Sequence, residues 1–149
     1  MQPVRALRPL SLSNASLCEA LESMLKTVSH YSVVKTEFVH EGERRELPPE
    51  WEEVLLRVTQ ESLTNTMKHS KAQNFRATLS FEPQQVLLKL ADDGCGFVHQ
   101  AEHEGFGLIG MKERVESIGG TFVVHSELGS GTQTIVTLHS PSSSQPHAA

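Results

Sequence analysis

Two stretches decide the fold: Thr59–Ala72, which reads TQESLTNTMKHSKA, and Leu90–Phe97, which reads LADDGCGF. The first ends a helical pattern that opens at Pro48, where proline suits the first helical turn and the following glutamates complement the helix dipole. The second directly follows a run of alternating apolar residues, which is typical of a strand. The sequence therefore predicts a long helix with a polar end, followed by a strand that runs into an acidic, glycine-rich turn.

Outward from these stretches, apolar periodicity predicts the remaining elements. Helices are expected over residues 13–29, 48–70 and 108–118, and Met67 is placed on the apolar side of the second. Strands are expected over residues 31–40, 75–81, 86–91, 121–125 and 133–139, with the second and third forming a hairpin. This order predicts an α+β fold: a two-layer α/β sandwich with about three helices on one face of a mixed, mostly antiparallel sheet.

Composition excludes several classes of protein. The 149 residues suit one domain, and 38% hydrophobic content allows a packed core. A net charge of -5 disfavours nucleic-acid binding. Neither a membrane-spanning stretch nor a signal-peptide core is present, so we expect a cytoplasmic domain without direct membrane contact. Two cysteines, Cys18 and Cys95, cannot build a disulfide scaffold or a thiolate zinc site.

Four polar residues of the long helix recur at helical spacing: Glu61, Asn65, Lys68 and His69. An α-helix would present them on one stripe. A carboxylate, an amide oxygen, an ammonium and an imidazole together suit a metal–phosphate group, since Mg²⁺ prefers hard oxygen ligands and substrate phosphates. The ordinary alternative is a solvated helix face with a Glu–Lys arrangement.

Three glycine motifs follow. Asp92, at a strand end before Gly94 and Gly96, could accept a hydrogen bond from an exocyclic amine such as that of adenine, although Asp-Gly is equally a turn signature. Residues 105–111, GFGLIGM, open a helix whose free N–H groups would favour an anion. They lack the preceding strand of a dinucleotide fingerprint, and no P-loop sequence is present. Residues 129–132, GSGT, read alone as a hairpin turn.

In their order and distances, these motifs resemble the GHKL superfamily of ATPases. The stretches TQESLTNTMKHSKA, LADDGCGF, GFGLIGMKERVESIGG and GSGTQTIVTL are similar to the catalytic ATP-binding domain of NarL/DesK-type sensor histidine kinases. The resemblance covers about residues 47–138. It implies a Bergerat-type sandwich that binds ATP and Mg²⁺ under a mobile lid over residues 97–106.

The resemblance also implies residue roles. Asn65 would hold Mg²⁺ against the phosphates, Asp92 would accept the adenine amino group, and Thr132 would support the adenine side. Glu61 belongs to the site, as a catalytic group or as a ligand that orients Mg²⁺ or water. The remaining residues of the implied ATP-binding set are Lys68, His69, Gly94, Gly96, Gly105, Gly107, Leu108, Gly110 and Gly131.

One departure from the family matters. The family's acceptor histidine precedes an acidic residue in a helix before the catalytic domain, and none of the eight histidines here fits that pattern. We therefore expect a monomeric domain that binds ATP but cannot autophosphorylate. Its partners would be a histidine-bearing dimerisation domain and a response regulator. The expected organisation is the end of a dimerisation helix or linker over residues 1–12, the ATPase domain over 13–140 and a disordered tail over 141–149.

Two alternatives remain open at this point. One is a stand-alone anti-sigma-factor serine kinase of the same superfamily, which has about this length. The other is a docking module without catalysis, which binds nucleotide or none and only docks to a partner. Loss of Mg²⁺-dependent ATP binding in Asp92→Asn and Asn65→Ala would disfavour the docking module, and transfer to a histidine rather than a serine would separate the two kinases.

Overall fold

The computed structural model describes residues 16–94 and 107–139. The helices within them are α1 (Ser16–Tyr31), α2 (Pro49–Asn65), which continues into a π-helical turn (Thr66–Ser70), and α3 (Leu108–Glu116). The strands are β1 (Lys35–Glu41), β2 (Asn74–Glu82), β3 (Gln85–Asp92), β4 (Thr121–Glu127) and β5 (Gly131–His139). Their order along the chain is the order that the sequence predicts.

The strands form one sheet in the order β1-β2-β3-β5-β4. β1 pairs with β2 in parallel, and the other three pairings are antiparallel. β2 and β3 form the predicted hairpin, with Phe81 opposite Val86. The α/β sandwich with a mixed, mostly antiparallel sheet is therefore confirmed.

The core lies between the helices and one face of the sheet. Alternate residues of the strands point into it, as the period of two requires. Fully buried side chains come from β2 and β3, such as Leu79 and Leu88, and from the helices, such as Leu21, Leu55 and Val115. Burial of this apolar surface, at about 25 cal/mol per Å², holds the helices in place over the sheet.

The first strand begins later than the sequence predicts, because α1 continues through Tyr31. The Ser32 hydroxyl donates to the Val28 carbonyl oxygen at 2.8 Å and accepts from the Val34 N–H at 3.1 Å. These hydrogen bonds end the helix and turn the chain, so pairing starts only at Lys35. Such side-chain-to-backbone bonds compete with regular structure.

The long helix also departs from its predicted course. It is α-helical only to Asn65 and then forms the π-helical turn. Because this turn does not follow the 3.6-residue period, the spacing of Asn65 and Lys68 no longer predicts a shared α-helical stripe, and the side chain of His69 lies outside the described part of the chain. Met67, expected on the apolar side, is 45% exposed.

Some predictions fall outside the described residues. They concern residues 1–12, the lid over 97–106 with Gly96 and Gly105, and the tail over 141–149. Within the described ranges, none of the helices is long and apolar enough to cross a membrane.

Candidate functional site

A row of polar side chains crosses three neighbouring strands at one end of the sheet. Asp92 of β3 lies opposite Thr132 of β5, and Thr132 lies opposite Ser126 of β4. These positions share their strand parity with the buried residues, so they belong to the helix-facing side. The Ser126 and Thr132 hydroxyl oxygens are 2.8 Å apart. The predicted residues Asp92 and Thr132 are therefore direct neighbours.

Three donors fix the Asp92 carboxylate. The Gly94 N–H donates to Oδ1 at 2.8 Å, and the Thr66 hydroxyl donates to Oδ2 at 3.1 Å. The backbone of Thr132 supplies a further hydrogen bond. Burial raises the pKa of Asp92 above its ordinary value, and the three hydrogen bonds work against that rise because they favour the ionised form. The result is a half-buried, oriented acceptor at the end of β3.

Thr66 is a site residue that sequence reasoning missed. It is 2% exposed and directly follows Asn65, at the start of the π-helical turn. Its hydrogen bond to Asp92 joins the end of α2 to the end of β3 across 26 positions of sequence. Asn65 therefore lies beside the residue that contacts Asp92. The only signal in the sequence was a hydroxyl residue next to Asn65.

A second contact joins α2 to the start of α3. A Cβ atom at Gly107 would lie 3.2 Å from Glu61 Oε1, which is closer than an ordinary van der Waals contact. Glycine at this position avoids that close contact with the carboxylate. Gly107 has a φ of 68° and precedes α3, whose first helical hydrogen bond runs from the Met111 N–H to the Gly107 carbonyl oxygen at 3.1 Å. The N–H groups of residues 108–110 therefore have no acceptor within α3, as at any helix start. Such groups suit an anion.

The glycines of the last turn differ in their surroundings. Gly131 has a φ of 89°, and a Cβ there would collide with the Asp92 carbonyl oxygen. Glycine at this position therefore lets β5 pass close to the end of β3. Gly129 also has a positive φ but faces open space. Gly110, which lies in α3 and not in this turn, would likewise meet nothing within 4 Å of an added Cβ.

Asp93 is a second residue that sequence reasoning left without a role. Its carboxylate accepts the Gln73 and Asn74 N–H groups, both at 2.9 Å, and the Asn74 side-chain amide at 2.8 Å. The Asn74 hydrogen bonds, above all, lower the pKa of this exposed carboxyl. Asp93 thus ties the end of β3 to the start of β2 and holds the backbone on which Asp92 sits.

An open cavity of about 500 Å³ surrounds the ends of β3, β4 and β5. Asp92, Ser126, Gly131 and Thr132 line it, whereas Asn65 and Glu61 do not. The structure therefore brings the predicted residues into two groups, one around Asp92 and one around Glu61 and Gly107. Asn65, half-buried at the end of α2, lies in sequence between Glu61 and Thr66, which contacts Asp92.

Lys68 is exposed on the π-helical turn. Among the side chains of the described residues, no three His, Cys, Asp or Glu groups are arranged to hold a metal ion. Asn65 and Glu61 carry side-chain oxygens, the ligand type that Mg²⁺ accepts, and Glu61 Oε1 lies close to Gly107 at the start of α3.

Comparison with known proteins agrees with this geometry. Residues 52–142 match the family described as histidine kinase-, DNA gyrase B-, and HSP90-like ATPase. The signal transduction histidine-protein kinase/phosphatase DegS of Bacillus subtilis is 35% identical over 132 residues, which cover 84% of this chain and 34% of DegS. The sensor protein VraS of Staphylococcus aureus strain COL is 34% identical over 128 residues, covering 85% of this chain and 36% of VraS.

A solved structure shares the fold. The histidine kinase domain from the blue-light activated histidine kinase of Erythrobacter litoralis EL346 superposes with a TM-score of 0.63 at 17% identity, covering 82% of this chain and 64% of that one. The chain spans about a third of the length of the curated relatives it matches.

Proposed function

This chain belongs to the family of histidine kinase-, DNA gyrase B- and HSP90-like ATPases, and on that premise we propose that it is the ATP-binding catalytic domain of a sensor histidine kinase of a two-component system. The relatives DegS and VraS support the kinase assignment over the serine-kinase and docking-module alternatives. The observation that carries the proposal is the hydrogen bond between Thr66 and Asp92, because it brings the polar end of α2 to the acidic end of β3.

Asp92 and Thr132 would bind the adenine base. The Asp92 carboxylate is held by donors that leave it acceptor capacity, so in its ionised form it would accept a hydrogen bond from the exocyclic amine. Thr132 lies opposite it on β5 and offers a hydroxyl on the same side of the sheet. Gly94 and Gly131 would shape the surrounding backbone, and Gly96 would extend the first turn.

The phosphates would lie towards Asn65 and the start of α3. The N–H groups that open α3 at Gly107, Leu108 and Gly110 would bind phosphate oxygens, and Gly105 would belong to the same loop. Asn65, with Glu61 as a possible second ligand, would hold Mg²⁺. When bound, Mg²⁺ would neutralise phosphate charge. Lys68 and His69 would lie along the phosphate path. Lys68 is exposed, so its side chain would reach the phosphates only when the nucleotide is bound.

The reaction would be an in-line phosphoryl transfer. A histidine nitrogen of a dimerisation domain would attack the γ-phosphorus of ATP, the bond to the bridging oxygen would break, and ADP would leave. The phosphoryl group would then pass to an aspartate of a response regulator. The chain's own contribution would be positioning and charge stabilisation, since phosphoryl transfer asks little covalent chemistry of the protein. A cytoplasmic location would place both partners within reach.

The test is transfer to a supplied acceptor. The chain, MgATP labelled on the γ-phosphate and a separate helical hairpin with a His-Asp or His-Glu pair should yield an acid-labile phosphohistidine on the hairpin. A hairpin with the histidine changed to glutamine should remain unlabelled, and so should the hairpin in mixtures with Asp92→Asn. Label on a serine protein instead, or ATP binding without any transfer to the histidine, would contradict the proposal.

A further inference from the structure

We propose that Thr66 is a positioning residue for nucleotide recognition: its hydroxyl orients the Asp92 carboxylate and couples it to the end of α2 that carries Asn65. This inference rests on the proposed function, because it concerns the same site. In the proposed arrangement, Thr66 contacts neither the base nor the phosphates. It acts through Asp92.

The geometry of Asp92 supplies the first step. Its Oδ1 accepts the Gly94 N–H at 2.8 Å, which fixes one oxygen relative to the turn after β3. The backbone of Thr132 adds a second hydrogen bond from the sheet. The Thr66 hydroxyl reaches Oδ2 at 3.1 Å from the helix layer and fixes the carboxylate relative to the end of α2, which neither backbone donor does. An oriented acceptor loses less entropy when a base binds, which favours affinity.

Burial supplies the second step. Thr66 is 2% exposed, so its hydroxyl needs a partner inside the protein. A hydrogen bond to a charged group contributes more to stability than one between neutral groups. Removing the hydroxyl would leave a buried carboxylate with one donor fewer. Such a carboxylate is less well stabilised in the ionised form that the adenine amine requires.

Connectivity supplies the third step. Thr66 follows Asn65 directly and begins the π-helical turn, so its side chain reaches Asp92 from the place where α2 changes its hydrogen-bond pattern. Any shift of Asn65 would move the Thr66 backbone with it. The contact therefore ties the proposed metal-binding end of the site to the base-binding end.

α2 itself offers a matched control. Thr59 is also fully buried, and its hydroxyl donates to the Leu55 carbonyl oxygen within the same helix at 2.8 Å. Thr59→Val removes a buried hydroxyl from the same helical segment without touching Asp92. Thr66→Val removes one that does. The difference between the two variants isolates the contact with the carboxylate.

The experiment compares nucleotide affinity in this chain by calorimetry with MgATP and with the magnesium complex of purine riboside triphosphate, which lacks the exocyclic amine. Thr66→Val should bind ATP about tenfold more weakly than the wild type, and Thr66→Ser should restore binding. The preference for ATP over the amine-free nucleotide should shrink in Thr66→Val and persist in Thr59→Val. A structural defect alone would weaken both nucleotides equally.

The outcomes separate the claims. If the wild type binds no adenine nucleotide, the proposed function itself fails. If it binds, and Thr66→Val keeps the wild-type affinity and base preference or Thr66→Ser fails to restore them, the inference is overturned. Should Thr66→Val not fold, as judged by its thermal transition without nucleotide, Thr66→Ala is measured in its place and decides by the same two criteria.

Discussion

At the scale of single residues, Asp92 carries two opposed demands. In the proposed role it would have to be ionised to accept an amine hydrogen bond, yet burial raises its pKa. The hydrogen bonds from Gly94, Thr66 and Thr132 offset part of that cost by favouring the charged form. Asp93, next to it, is exposed and has a lowered pKa, because it accepts three hydrogen bonds from residues 73 and 74. Under the proposed function, Asp92 would serve base recognition, while the adjacent Asp93 serves structure.

Base recognition should therefore fail on acidification. As the pH falls through the raised pKa of Asp92, the carboxyl gains a proton and can no longer accept the amine hydrogen bond as an anion. We expect the preference for ATP over purine riboside triphosphate to decline at a pH above 3.8, the ordinary value for aspartate. Calorimetric titrations of both nucleotides across pH measure it, since phosphate protonation affects both alike. A preference that stays unchanged down to pH 3.8 would contradict this role.

At the scale of elements, the sequence predicts the helices, the strands and the β2–β3 hairpin, because hydrophobic periodicity and glycine or proline breakers are local signals. It does not predict the π-helical turn, which breaks the period on which the prediction rests. Nor does it predict the contact between Thr66 and Asp92, since this depends on how α2 lies over β3. A pattern of apolar residues also does not predict the Ser32 hydrogen bonds, after which β1 begins only at Lys35.

The turn between β4 and β5 offers an element-scale prediction. Gly131→Ala should destabilise the fold by about 3 kcal/mol or more, because a residue with a side chain is strained at positive φ and its Cβ would collide with the Asp92 carbonyl oxygen. Gly129→Ala, with positive φ but open space, should cost only about 1–2 kcal/mol. Chemical denaturation measures both. Equal losses of stability in the two variants would show that the close approach of β5 to β3 does not require glycine at position 131.

At the scale of the whole molecule, the sheet order brings distant motifs together. β5 inserts between β3 and β4, so the turn before Thr132 meets the end of β3 although about forty residues separate Thr132 from Asp92 along the chain. Periodicity cannot give this order, and the family resemblance implied it only through the known fold. The same resemblance implies roles for Asn65, Asp92 and Thr132, which stay predictions, whereas the hydrogen bonds of Thr66 and Asp93 are seen only in the folded chain.

The proposed site requires Asp92 and Asn65 to bind opposite ends of one nucleotide, and isothermal titration of this chain with ATP at millimolar Mg²⁺ measures this binding. We expect saturable binding by the wild type and a loss of at least tenfold in affinity for both Asp92→Asn and Asn65→Ala, with the Asn65 effect disappearing when Mg²⁺ is omitted. Absence of binding heat at millimolar nucleotide, or wild-type affinity in either variant, would contradict it.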